Sequence, residues 1–164
     1  MRRRYLAFVA IGMLVVPGAA LASAPTKQQY ISKGDALCKR GNAKASGYES
    51  QAQKLIAHQP STTAELKPWA TKLSKVIEED VRMRRTGLQS LRALTAPAGD
   101  HLTVTHIWNA FASEVTDLQT FATQLEDFKF SSLKASDQRA DNAKTKYDGL
   151  AQRFGFKVCG QPTN

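Results

Sequence analysis

Residues able to do chemistry are sparse in this chain of 164 residues. The three histidines, His58, His101 and His106, are the first candidates for a metal, but His101 and His106 lie five apart. Ligands three or four apart share a helix face, and these two do not. Glu-x-x-His pairs, which hold di-iron centres in helical bundles, are absent, and so is the C-x-x-C-H attachment of covalent haem. Glu114 and Asp117, one helical turn apart, form a pair of carboxylates suited to acid–base work. They flank Val115 on a strongly amphipathic segment, however, where a solvated helix face accounts for them. Nucleophile elbow, P-loop and dinucleotide fingerprint are all missing. The expectation is a non-enzyme without cofactor or metal.

A basic cluster is the next candidate. Arg82, Arg85 and Arg92 fall on one face of a helical segment, with Arg84 adjacent, and together they could bind an anion such as an envelope polymer or a lipid headgroup. Glu78 and Asp80 precede Arg82 and Arg84 by four residues, the favourable order for ion pairs within a helix, so the cluster is partly self-neutralised. Trp69 and Trp108 sit on inward-facing stripes, where a buried indole N–H needs a partner.

The elements that would carry these residues begin with a leader. Arg2, Arg3 and Arg4 precede an apolar run from Tyr5 to Val16, then Pro17-Gly18 and small residues to Ala24, the three-part layout of a secretory signal peptide. Cleavage after Ala22 avoids Pro25 beside the scissile bond. The run is too short for a membrane span. Arg3-Arg4 before Tyr5-Leu6 also faintly resembles a twin-arginine signal. Removing 22 leader residues from 164 leaves 142, one domain spanning residues 23–164. Three of the 23 basic residues leave with the leader, so 20 face 14 acidic ones, a net charge of +6. That excess suits solubility or anionic envelope polymers, and an exported chain has no routine access to nucleic acid.

Four segments then repeat apolar residues at spacings of three and four, the signature of helices. The first runs from Thr26, its cap, to His58, with a break conceivable near Gly47. A turn at residues 62–66, where Thr62 and Glu65 have capping-box spacing, precedes a second helix opening at Pro68 and ending before Ala96-Pro97-Ala98-Gly99. Asp100 caps the third, which carries Ile107, Trp108, Phe111 and Phe121. The fourth follows Ser131-Ser132 and stops at Gly155 in a left-handed cap, leaving an extended tail. Helices of similar length with short connections bury their stripes as an all-α, up-down-up-down four-helix bundle. In that topology the fourth helix ends where the first begins. Cys159 therefore arrives beside Cys38, and an even cysteine count in an oxidising compartment argues for a disulfide. Gly34, Cys38 and Gly41 offer a low-profile face that could receive the tail.

Three strings, Tyr30-Ile31-Ser32-Lys33-Gly34-Asp35-Ala36-Leu37-Cys38, Leu94-Thr95-Ala96-Pro97-Ala98-Gly99-Asp100 and Phe154-Gly155-Phe156-Lys157-Val158-Cys159-Gly160, resemble small secreted helical proteins of actinobacteria. The resemblance implies export and paired terminal cysteines, and it supplies no catalytic residues. Taken together, the residues predict a secreted or envelope-associated, non-enzymatic bundle, an interaction module of the cell envelope. The alternative is a carrier holding a small apolar ligand between its helices.

Overall fold

The computed structural model describes residues 24–161, so the leader and its cleavage site lie outside the described residues. Four helices follow one another: α1 (Lys27–Ala57), α2 (Thr63–Arg92), α3 (His101–Glu126) and α4 (Phe130–Phe154). They form the expected all-α four-helix bundle. Thr26 caps α1 through a reciprocal capping box with Gln29, at 3.2 and 2.9 Å. The helix then runs through Gly47 without a break.

Two helix starts differ from the sequence reading: α4 opens at Phe130 and takes in Ser131 and Ser132, and α2 opens early. Thr63 already opens α2, and Pro68 sits inside it. The proline leaves one early carbonyl without its helical partner, a loss confined to an exposed first turn. Trp69 compensates by donating from Nε1 to the Leu55 carbonyl at 2.8 Å, fastening the start of α2 to the last turn of α1. Thr62 spends its hydroxyl on the Glu65 carboxylate rather than on the backbone. Asp100 stands at the N-cap of α3 as expected, but its side chain makes no capping bond. The turn into α4 is tight: Phe128 takes a left-handed φ of 56°, while Lys129 and Phe128 donate back to Gln124 and Leu125. This is a Schellman closure with phenylalanine where glycine is the usual choice. Gly155, at φ 114°, ends α4 as the residue types foretold.

Successive helices pack side by side, α1 on α2, α2 on α3 and α3 on α4, but no Cα of α1 comes within 8 Å of a Cα of α4. The α1–α4 seam is therefore wider than the other three and is bridged by side chains, with Tyr30 edge-on to Phe154 at 6.1 Å and Cys38 Sγ 3.9 Å from the Tyr147 hydroxyl. Its apolar interior is split in two. One cluster joins Tyr30, Leu91, Ile107, Trp108, Phe154 and Phe156 at the end where α1 begins. The other gathers Leu73 and Leu125 with Trp69, Phe121 and Leu133 at the opposite end.

The tail is folded back rather than extended, because one carboxylate organises it. Asp35 Oδ2 accepts the Lys157 N–H at 2.9 Å, and Oδ1 accepts those of Val158 and Cys159 at 2.9 and 3.0 Å. Three consecutive donors so converge on a single acidic group, a backbone nest around an anion. Phe156 is 1% exposed and lies against Gly34, where an added Cβ would stand 2.6 Å from its ring. Cys38 and Cys159 are joined, closing the expected link between the first helix and the tail.

Candidate functional site

Between the two apolar clusters lies a charged layer. Arg84 projects from α2, and each of its three guanidinium nitrogens donates to a different carboxylate: Nε to Asp80 at 2.7 Å, Nη1 to Glu114 at 2.9 Å and Nη2 to Glu49 at 3.2 Å. The ion pairs thus tie α2 to α3 and to α1. The side chains of Arg84, Asp80 and Glu114 are 15%, 10% and 5% exposed. Such burial penalises charge. It pushes Glu114 up to about 7, with Arg84 and Lys144 offsetting only part of the cost of lost water. Asp80 is raised for the same reason. Burial also opposes the charge on Arg84, but Asp80 and Glu114 outweigh it and hold the guanidinium cationic.

A cleft of about 730 Å³, within the range of ligand sites in folded proteins, borders this layer; its lining is mostly from α1 and α2, with Phe111 and Glu114 from α3 and Lys144, Tyr147 and Asp148 from α4. Leu37, Ala45 and Tyr48 wall it on α1, Met83 and Leu91 on α2, and Phe111 with Tyr147 at its back. Phe111 and Tyr147 are stacked at 4.8 Å between ring centroids. Burial raises the Tyr147 phenol, so it stays neutral. On α4, Lys144 pairs with Asp148 at 2.6 Å, and the second oxygen of Asp148 is buried without a hydrogen bond.

Two glycines leave space unfilled at the cleft wall. Gly41 and Gly87 both line it, and a Cβ at either would meet nothing within 4 Å. A mid-helix glycine costs about 1 kcal/mol relative to alanine. Gly34 recovers that cost by admitting Phe156; Gly41 and Gly87 gain no contact in return.

The residues singled out in the sequence are dispersed. Arg82 is exposed and pairs with Glu79 at 3.1 Å instead of Glu78, Arg85 is exposed, and Arg92 donates to Asn109 at 3.0 Å. Ten residues of helix separate Arg82 from Arg92, about 15 Å of rise, so the three do not converge on one anion. Arg84, set aside as a neighbour, is the arginine that turns inward. The solvated face expected for Glu114 and Asp117 holds for neither in full. Glu114 is 4% exposed because Arg84 draws it into the bundle, whereas Asp117 meets Arg139 at 3.3 Å nearer the surface. His58 contacts the Lys54 carbonyl at the end of α1, and His101 and His106 are exposed on α3. Among the described residues, no group of three or more His, Cys, Asp or Glu side chains is arranged to hold a metal ion. Trp108 satisfies its indole on the Tyr30 hydroxyl at 2.9 Å.

A signal for the missed residues was present. Glu114 falls three residues after Phe111 and four before Leu118, on the apolar stripe itself, and Arg84 stands likewise between Val81 and Leu88. Opposite charges on inward positions of adjacent helices announce a buried ion pair. Comparison with protein-family models, with curated proteins and with solved structures finds no match, so the reading of the cleft rests on its own residues.

Proposed function

We propose that this is an exported, non-enzymatic helical protein that carries a small ligand with an apolar body in the cleft lined mostly by α1 and α2. The observation that carries this reading is the unfilled cleft. Gly41 on α1 and Gly87 on α2 leave the space beside them empty, at a cost in helix stability. Selection for stability alone would place alanine or a larger residue at both. Export is supported by the leader pattern and by a disulfide, which persists in oxidising compartments. No helix among the described residues is long and apolar enough to cross a membrane. Docking on anionic envelope polymers has less support, because the exposed arginines are spread along α2 and two of them already have partners.

Native mass spectrometry of protein recovered from its own host tests the proposal. The expected spectrum shows a chain starting at Ser23, oxidised at both cysteines, with a bound small-molecule adduct. A clean unliganded mass from several independent preparations would contradict the carrier reading.

A further inference from the structure

Most of the charge bordering the cleft is answered within the protein. Arg84 gives each guanidinium nitrogen to its own carboxylate, Lys144 pairs with Asp148, and Arg82 pairs with Glu79. Arg40 and Lys44 lie exposed at the mouth, where water and salt screen them. An ion of either sign has to displace one of these pairs or stay at the rim. An uncharged ligand need do neither.

One hydroxyl at the cleft wall has a proton without a good acceptor. Tyr147, on α4, is 7% exposed and borders the cleft with its ring stacked on Phe111. Among the described residues, the side-chain partner of its hydroxyl is Cys38 Sγ at 3.9 Å. That sulfur is bonded to Cys159 and carries no hydrogen, so the phenol is the donor, and it donates to a weak acceptor at long range. The Gly160 N–H, which also acts on the phenol, is itself a donor and can use only the oxygen's lone pairs. A buried tyrosine hydroxyl ordinarily has a better partner than this. Cys38, Tyr147 and Gly160 all border the cleft, which places the hydroxyl at its wall.

Such a donor discriminates among ligands. An ammonium has no lone pair to accept the proton. A carboxylate can accept it, but Glu114 and Asp148 act on this phenol ahead of Arg84, so a further negative charge beside its oxygen is disfavoured. A carbonyl oxygen accepts without bringing net charge. We propose that the cleft takes an uncharged ligand with an apolar body and a carbonyl oxygen, and that Tyr147 sets this preference by donating to that oxygen. The inference rests on the carrier reading and specifies its ligand class. The apolar body then lies along Leu37, Met83, Leu91 and Phe111, and the ion pairs stay intact.

The test uses the oxidised, leader-free chain and four probes built on one alkyl chain: 2-octanone, its isostere 2-methyl-1-octene, octanoate and 1-octylammonium. The ketone should bind roughly tenfold more tightly than either ion, about what one hydrogen bond to a buried group is worth. Tyr147→Phe, which removes the hydroxyl alone, should weaken the ketone about tenfold and leave the alkene unchanged. Infrared spectra of the isotope-labelled ketone supply a readout that a merely structural ring would not move. Its carbonyl stretch should fall in frequency on binding to the unmodified chain, and less so on binding to Tyr147→Phe. Gly41→Leu should weaken all the probes. Either ion binding as tightly as the ketone, or a ketone indifferent to Tyr147→Phe, would overturn the ligand class and leave the carrier reading intact. Failure of all four probes would overturn both, as would binding that Gly41→Leu does not weaken.

Discussion

At the end where α1 begins, Tyr30, Trp108, Phe154 and Phe156 fill the space between the helices, with successive ring centroids 5.4–6.1 Å apart. At the level of Arg84 the same four helices leave a cleft open and put charge beneath it. The first region is buried, crosslinked and complementary to the point that a methyl group on Gly34 would collide with Phe156. The second tolerates unfilled volume and carboxylate oxygens without donors. Tight packing and open volume are thus segregated along the bundle axis.

The sharpest way to break the contrast is to release the stiff end. Replacing Cys38 and Cys159 together by alanine opens a loop with a sequence separation of 121, and on the chain-entropy view should cost about 5 kcal/mol. Urea unfolding of the oxidised chain and the double variant measures it; a difference below about 1 kcal/mol would mean that the tail is held without the crosslink. In the middle, Arg84→Ala leaves Asp80, Glu114 and Glu49 without their shared cation and should destabilise by about 3–5 kcal/mol. A loss under 1 kcal/mol would show that water already reaches these carboxylates.

The middle should also make stability depend on pH. Glu114 has its folded pKa raised to about 7 from 4.5, so the folded state binds the extra proton between those values. Stability from this group is full below about pH 4.5 and is lost as pH rises toward 7, by roughly 3 kcal/mol at most. Asp80, raised by burial, acts in the same direction. Melting curves from pH 5 to pH 8 should therefore fall more steeply for the unmodified chain than for Glu114→Gln; parallel curves would place Glu114 in water. A smaller effect belongs to the latch. Asp35→Asn removes the charge that gathers three backbone N–H groups and should cost about 1–2 kcal/mol, with hydrogen exchange accelerated at Lys157, Val158 and Cys159. Unchanged exchange at those amides would assign the tail's order to Phe156 and the disulfide alone.

Much of the fold was legible beforehand because helix signals are local. Thr26, Gly155 and the stripe through Trp108 and Phe111 announce their elements within a few residues, and the topology then brings Cys38 to Cys159. Pro68 misled because proline is usually excluded beyond the first turn, and the contact of Trp69 with Leu55 that supports it joins two helices. The tail was misread for a similar reason: its donors answer to Asp35, more than 120 residues away. The cleft was not legible at all. Periodicity marks which face turns inward, but it cannot tell a face that meets a neighbour from one held away from it. In the sequence Gly41 belongs to a face that could receive the tail; the fold instead leaves open space beside it and beside Gly87.

The carrier reading is tested most directly at Gly41, where added volume has room and should make the helix stronger. Gly41→Leu, isolated from the native host beside the unmodified chain, should unfold at equal or higher urea concentration, gaining about 0.5–1 kcal/mol from helix propensity, and should lack the bound adduct that native mass spectrometry is expected to find on the unmodified chain. A variant that keeps both its stability and its adduct would contradict the assignment of the cleft beside Gly41 as the ligand site.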